Sequence, residues 1–179
     1  MNLPNKITIF RVCMIPVFLL FYLVETIPHH NVIALAVFIV ACVSDAVDGH
    51  LARKNNLVTN FGKFMDPLAD KLLVCTALVC FVDKGSIPLI VALSVIAREF
   101  IISGFRTVAS DSGVVLAASY WGKFKTVAQM IMCNLLILHL EVTWFALLET
   151  IFIWLSFALT IISMLDYLIK NRSVLADTK

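Results

Sequence analysis

The 179-residue chain is 61% hydrophobic and only 15% charged, with a mean hydropathy of +0.97, which excludes both an ordinary soluble globular domain and a disordered chain. Its formal net charge of +2 is too small to suggest a nucleic-acid partner. What remains is an all-α polytopic membrane protein, a single domain over residues 1–179 that leaves no room for a separate soluble module.

In chain order the apolar runs predict six crossings: Ile7 to Val24, Asn31 to Arg53, Phe61 to Val82, Ile87 to Ala109, Trp121 to Leu140 and Ala146 to Ile169. Each is near the ~20 residues that cover a hydrocarbon core about 30 Å thick. The first segment has Lys6 and Arg11 ahead of an apolar run, as a signal peptide would, but no small-residue cleavage site follows, so it reads as a retained helix. Between the runs lie Pro28-His29-His30-Asn31, Lys54-Asn55-Asn56, Asp83-Lys84-Gly85-Ser86, Asp111-Ser112-Gly113 and an acidic turn from Glu141 to Glu149. Lys6, Arg11, Arg53, Lys54, Lys63, Arg106, Lys123, Lys125, Lys170, Arg172 and Lys179 fall on one side of this layout, against Lys84 on the other. Both termini are therefore expected in the cytoplasm. The five cysteines sit singly in apolar runs, with no metal-binding spacing.

Against this background the stretch from Asp45 to Asp70, DAVDGHLARKNNLVTNFGKFMDPLAD, stands out. Asp45, Asp48, Gly49, Ala52 and Arg53 share one face of a helix, and Gly62, Asp66 and Asp70 share one face of the next. The short connector makes the two helices antiparallel neighbours, so the four carboxylates converge. At 1.5 Å per residue, Asp45 lies about 21 Å into the second helix and Arg53 about 33 Å, which places the acids toward the cytosol. An aspartate at a helix centre costs about 2.5–3.5 kcal/mol to insert, and clustered carboxylates repel one another. Two divalent cations, Mg²⁺ or Mn²⁺, resolve both problems, because carboxylate oxygens are hard ligands and paired metals promote displacement at phosphorus. Gly49, Ala52 and Gly62 remove bulk beside the acids, or serve helix packing. Arg53 offers a fork for phosphate, or snorkels to the interface. Pro67 either begins the third helix or kinks it.

The spacing Asp45-x2-Asp48-Gly49-x2-Ala52-Arg53-x8-Gly62-x3-Asp66-x3-Asp70 resembles, at every fixed position, the signature of the CDP-alcohol phosphatidyltransferases. That resemblance implies an enzyme that transfers a phosphatidyl group from CDP-diacylglycerol to an alcohol and releases CMP. It implies that Asp45, Asp48 and Asp66 hold the metals, with Asp70 as a ligand or as the catalytic base. Gly49, Ala52, Arg53 and Gly62 would line the nucleotide, and a homodimer in the bacterial cytoplasmic membrane, its active site facing the cytosol, is expected. The N-terminal LPNKITIFR also looks like the family, so that Asn5 and Thr8 are nucleotide contacts, or a helix cap and an interfacial threonine.

The segments AREFIISGFR and WGKFKTVAQM resemble the phosphatidylglycerophosphate synthase branch, whose acceptor is glycerol 3-phosphate. Arg98 and Arg106 share a helical face and Lys123 and Lys125 open the following helix; together they suit a phosphorylated acceptor. Glu99, Ser103, Thr126 and Gln129 rank below them, as groups that orient hydroxyls or neutralise the cations. Inositol phosphate, serine or phosphatidylglycerol are the alternative acceptors within the family. A divalent-cation transporter is the alternative outside it, and it expects acids near the midplane on broken helices.

Overall fold

A computed structural model of the chain describes residues 3–54, 60–111 and 119–171, with the side chains of 7–44, 68–69, 71–110 and 119–171. Among these residues all regular structure is helical: α1 (Leu3–Leu23), α2 (His30–Lys54), α3 (Asn60–Asp83), α4 (Leu89–Asp111), α5 (Tyr120–Leu138) and α6 (Thr143–Lys170). Each predicted crossing coincides with one helix to within a few residues at its ends. Pro67 does not begin α3, which starts at Asn60. Glu149, at the overlap of the expected acidic turn and the sixth crossing, lies inside α6, which already begins at Thr143, and is buried.

The connections have local causes. His29 takes φ 55° just before α2, and His139 takes φ 37° just after α5; a left-handed residue interrupts the helical ladder at either place. In the turn between α3 and α4, Gly85 takes φ 69° and donates its N–H to the Val82 carbonyl at 3.0 Å. Only glycine adopts that conformation without steric cost.

Two contact-rich units divide the chain. The first comprises Met1–Phe81 and Ile137–His139, the second Val82–Leu136 and Leu140–Lys179. In the first, α1 packs on α2. The buried row of α1 is Thr8, Arg11, Ile15, Phe18 and Tyr22, that of α2 is Ala34, Phe38 and Ala41, and that of α3 includes Ala69, Leu73 and Ala77. These rows advance by steps of three or four residues, the spacing of a continuous helical seam. Phe18 stacks on Tyr22 with ring centroids 5.4 Å apart and meets Phe38 at 5.8 Å. Tyr22 meets Phe81 edge-on at 5.8 Å.

In the second unit α4 packs on α6, and polarity is inverted relative to a soluble bundle. The buried face of α6 is Phe145, Glu149, Ile153, Ser156, Thr160, Ser163 and Tyr167. Its exposed face includes Trp144, Leu147, Ile151, Trp154, Leu155, Ile162, Leu165 and Ile169. Thr160 donates to the Ser156 carbonyl at 2.7 Å and Ser163 to that of Thr160 at 3.1 Å, so these hydroxyls are satisfied on their own helix. Small polar residues inside and large apolar ones outside suit a lipid solvent, where close backbone approach replaces the hydrophobic drive. Among the described residues α6 is long and apolar enough to cross a bilayer, and Ile7–Leu23 and His30–Ser44 are shorter apolar stretches.

Candidate active site

The acidic stretch lies on helical backbone: positions 45–54 complete α2 and positions 60–70 open α3. The side chains of Asp45, Asp48, Gly49, Ala52, Arg53, Gly62, Asp66 and Asp70 lie outside the described residues, as does that of Asn5. Their register is nevertheless defined by the helices. Positions 45, 48 and 52 continue the row of buried Ala34, Phe38 and Ala41 on α2, and positions 66 and 70 continue the row of Leu73 and Ala77 on α3. On the helical backbone the four acids thus fall in register with the buried rows of the neighbouring turns. Carboxylates at such positions fit hard divalent cations as a donor set. Among the residues with described side chains no group of three His, Cys, Asp or Glu gathers to hold a metal.

The α1 residues that accompany this region are described from Ile7 onward. Thr8 is fully buried and Arg11 is 1% exposed. Asn5 lies within the first turn of α1 rather than at its cap, since the helix begins at Leu3. Arg11 was expected only as an orienting surface charge. The signal for its burial is present in the chain, because Arg11 stands three residues after Thr8 and four before Ile15 on one helical row. An open groove of about 450 Å³ is lined, among the described side chains, by Ile7 and Phe10 of α1 and by Ile39, Val40, Val43 and Ser44 of α2. Ser44 turns its hydroxyl to the Ala41 carbonyl at 2.7 Å, so the groove is effectively apolar.

The expected acceptor-site cations all fall in the second unit, but they do not form one cluster. Arg98 lies on the buried row of α4 among Val91, Val95 and Ile102. Its Nη1 approaches Glu99 Oε1 at 3.5 Å, and the Lys125 ammonium from α5 pairs with the same carboxylate oxygen. Lys125 is 1% exposed and Arg98 11%. One carboxylate therefore serves one buried and one half-buried cation and leaves the trio with a net single positive charge. Gly122 makes room for this arrangement, since a Cβ there would lie 3.3 Å from Arg98 Nη2. Among the described residues the Arg98 Nε and the Gln129 Oε1 are buried without a hydrogen-bond partner.

Lys123 goes elsewhere. Two residues before Lys125 it lies about 200° around the helix, is exposed, and places its ammonium 5.4 Å from the Tyr120 ring centroid. Arg106 is also exposed; its Nε donates to Tyr167 Oη at 3.3 Å, and its guanidinium carbon lies 5.6 Å from that ring's centroid. Neighbouring Asp166 accepts from the Ser119 hydroxyl at 2.5 Å and pairs with Lys170 at 2.6 Å. Among the lower-ranked residues, Ser103 and Thr126 direct their hydroxyls to backbone carbonyls one turn back, of Glu99 at 2.7 Å and of Gly122 at 3.0 Å. Tyr167 and Asp166 were not anticipated as parts of the site, because nothing local in an apolar helix terminus indicates which residues of α4 and α5 it meets.

Comparison with known proteins agrees with the motif. Residues 1–162 match the family model described as CDP-alcohol phosphatidyltransferase. A Bacillus subtilis protein named CDP-diacylglycerol--glycerol-3-phosphate 3-phosphatidyltransferase is 41% identical over an alignment covering 97% of each chain. Proteins of the same name from Haemophilus influenzae, 39% identical over 98% of this chain and 96% of the relative, and from Rickettsia bellii, 37% identical over 93% of each, are similar along their length. With its aspartates at every position of the signature and a family match over most of its length, the chain belongs to the CDP-alcohol phosphatidyltransferase family.

Proposed function

We propose that this protein transfers the phosphatidyl group of CDP-diacylglycerol to glycerol 3-phosphate, giving phosphatidylglycerophosphate and CMP. The observation that carries the reading is full-length similarity, at 37–41% identity, to relatives that bear that activity in their names. The helical register of positions 45, 48, 66 and 70, in line with the buried rows of the neighbouring turns, supports it on physical grounds.

In this reading Asp45, Asp48, Asp66 and Asp70 hold two divalent cations, Mg²⁺ or Mn²⁺. When bound, these supply charge neutralisation for the pyrophosphate. Asp70, as a ligand, a base or both, takes the proton of the acceptor hydroxyl as that oxygen attacks the lipid-bearing phosphorus. The bond from phosphorus to the CMP oxygen breaks, and CMP leaves as the phosphate monoester. Gly49, Ala52 and Gly62 admit the nucleotide closely, and Arg53, Asn5 and Thr8 contact it or its phosphates. For the acceptor phosphate Arg106 ranks first, since it is exposed and Tyr167 takes only its Nε; Lys123 follows. Arg98 and Lys125 contribute the net positive charge of their trio with Glu99.

The chain acts as one domain over residues 1–179, crossing the bacterial cytoplasmic membrane six times with both termini and the active site on the cytosolic side. It pairs as a homodimer, with membrane lipid as its surroundings. The test is CMP release from CDP-diacylglycerol by purified protein across an acceptor panel. Glycerol 3-phosphate is the acceptor that reacts, and both excess chelator and Asp66→Asn abolish turnover. Reaction with serine, inositol phosphate or phosphatidylglycerol in its place would overturn the acceptor, and full activity in chelator would overturn the chemistry.

A further inference from the structure

We infer that Tyr167 is a positioning residue for the acceptor: by accepting from the Arg106 Nε it fixes the guanidinium so that its two terminal nitrogens form a ready fork for the acceptor phosphate. The inference rests on the assignment of Arg106 to that phosphate. Arg106 makes no hydrogen bond other than that to Tyr167 among the described residues. A guanidinium held at Nε and resting on a ring keeps its Nη1 and Nη2 edge open, and that edge matches two oxygens of a phosphate in parallel.

The post that holds it is itself rigid. Tyr167 is 2% exposed and meets Phe105 edge-on at 5.8 Å. Its carbonyl accepts from the Asn171 backbone N–H at 3.2 Å and from Asn171 Nδ2 at 2.7 Å, which closes the end of α6. Asp166, adjacent on the same helix, is tied to Ser119 and Lys170. Two consecutive residues thus secure the last turns of α6 to α4 and to the residue preceding α5, and Arg106 leans on the better buried of the two. An unsupported arginine on an exposed surface samples many rotamers, and that freedom would be lost on each binding event.

Acceptor titration of the full-length protein at saturating CDP-diacylglycerol tests the inference, with Tyr167→Phe as the variant because it keeps the ring and removes only the hydroxyl. The expected result is a rise in KM for glycerol 3-phosphate of about three- to tenfold, the range of a lost hydrogen bond of ordinary strength, with kcat and the KM for CDP-diacylglycerol unchanged. In an Arg106→Ala background Tyr167→Phe adds nothing, because the two residues act through one contact. If Arg106→Ala raises the acceptor KM but Tyr167→Phe does not, the inference fails and the acceptor reading stands. An equal Tyr167→Phe effect in both backgrounds, or a change confined to kcat, also overturns it. An Arg106→Ala enzyme with unchanged acceptor KM overturns the phosphate assignment itself, and the role of Tyr167 with it.

Discussion

Glu99 is the most exacting position in the described part of the molecule, and Glu99→Gln tests why. Its carboxylate is the counter-charge for Lys125, 1% exposed, and for Arg98 Nη1 at 3.5 Å. The glutamine keeps the shape and removes the charge, so two cations are left side by side without compensation. Removing one partner of a buried ion pair costs about 3–5 kcal/mol. At roughly 2–4 °C per kcal/mol for a chain of this size, the low end alone lowers the midpoint of unfolding by about 6–12 °C. Thermal unfolding of purified protein in lipid–detergent micelles reads this directly. The double variant Glu99→Gln, Lys125→Met recovers most of the loss, since the deeper cation then disappears with its partner. A Glu99→Gln protein that unfolds within about 1 °C of the parent would refute the reasoning, as would a double variant no better than the single one.

Other positions give sharper local tests. Gly122→Ala puts a Cβ 3.3 Å from the mobile end of Arg98; stability should change by less than about 1 kcal/mol, helix propensity offsetting the contact, while the KM for glycerol 3-phosphate rises. Gly85→Ala meets open space but must hold φ near 69°; it should cost about 1–2 kcal/mol in chemical unfolding, all of it from the backbone. On α6, Ile162→Lys puts a charge on an apolar exposed face and should lower membrane-inserted yield by an amount consistent with about 2.5–3.5 kcal/mol. Neighbouring Ser163→Ala should leave the yield unchanged.

Much of this was readable in the chain. The apolar runs mark all six helices, and the aspartate spacing marks the motif, because both are periodic properties that a helix expresses locally. The different surroundings of Lys123 and Lys125 were also legible: residues two apart on a helix point well away from each other, and the structure has Lys123 exposed and Lys125 buried. The burial of Arg11 follows the same rule, through its place in the row with Thr8, Ile15, Phe18 and Tyr22. Other features were not legible. That Glu99 serves both its sequence neighbour Arg98 and Lys125 on another helix depends on rotamers and on how α4 and α5 meet. The reach of Tyr167 to Arg106 links residues far apart in sequence, and no local pattern encodes such pairs. The aspartates fall between these cases: their helices and register are set, while their side chains lie outside the described residues.

The rows themselves explain how so apolar a chain tolerates these groups. In α1 the seam is polar at Thr8 and Arg11 and apolar from Ile15 to Tyr22; in α2 it runs from Ala34 and Phe38 to positions 45, 48 and 52; in α3 it runs back from Leu73 to positions 70 and 66. Over its described side chains α1 keeps one continuous inward stripe and changes the chemistry of that stripe partway along; in α2 and α3 the aspartate positions fall in register with the apolar row. In lipid this arrangement lets outward positions remain uniformly apolar while the polar residues find partners only inside the protein. For a reaction that joins a lipid-borne phosphate to a water-soluble alcohol, that division has a direct use. Acyl chains need an apolar approach, and α1 and α2 offer one in the groove lined by Ile7, Phe10, Ile39, Val40, Val43 and Ser44. Substituting the seam positions should therefore affect chemistry before folding, whereas a charge on the outward face should affect insertion before chemistry.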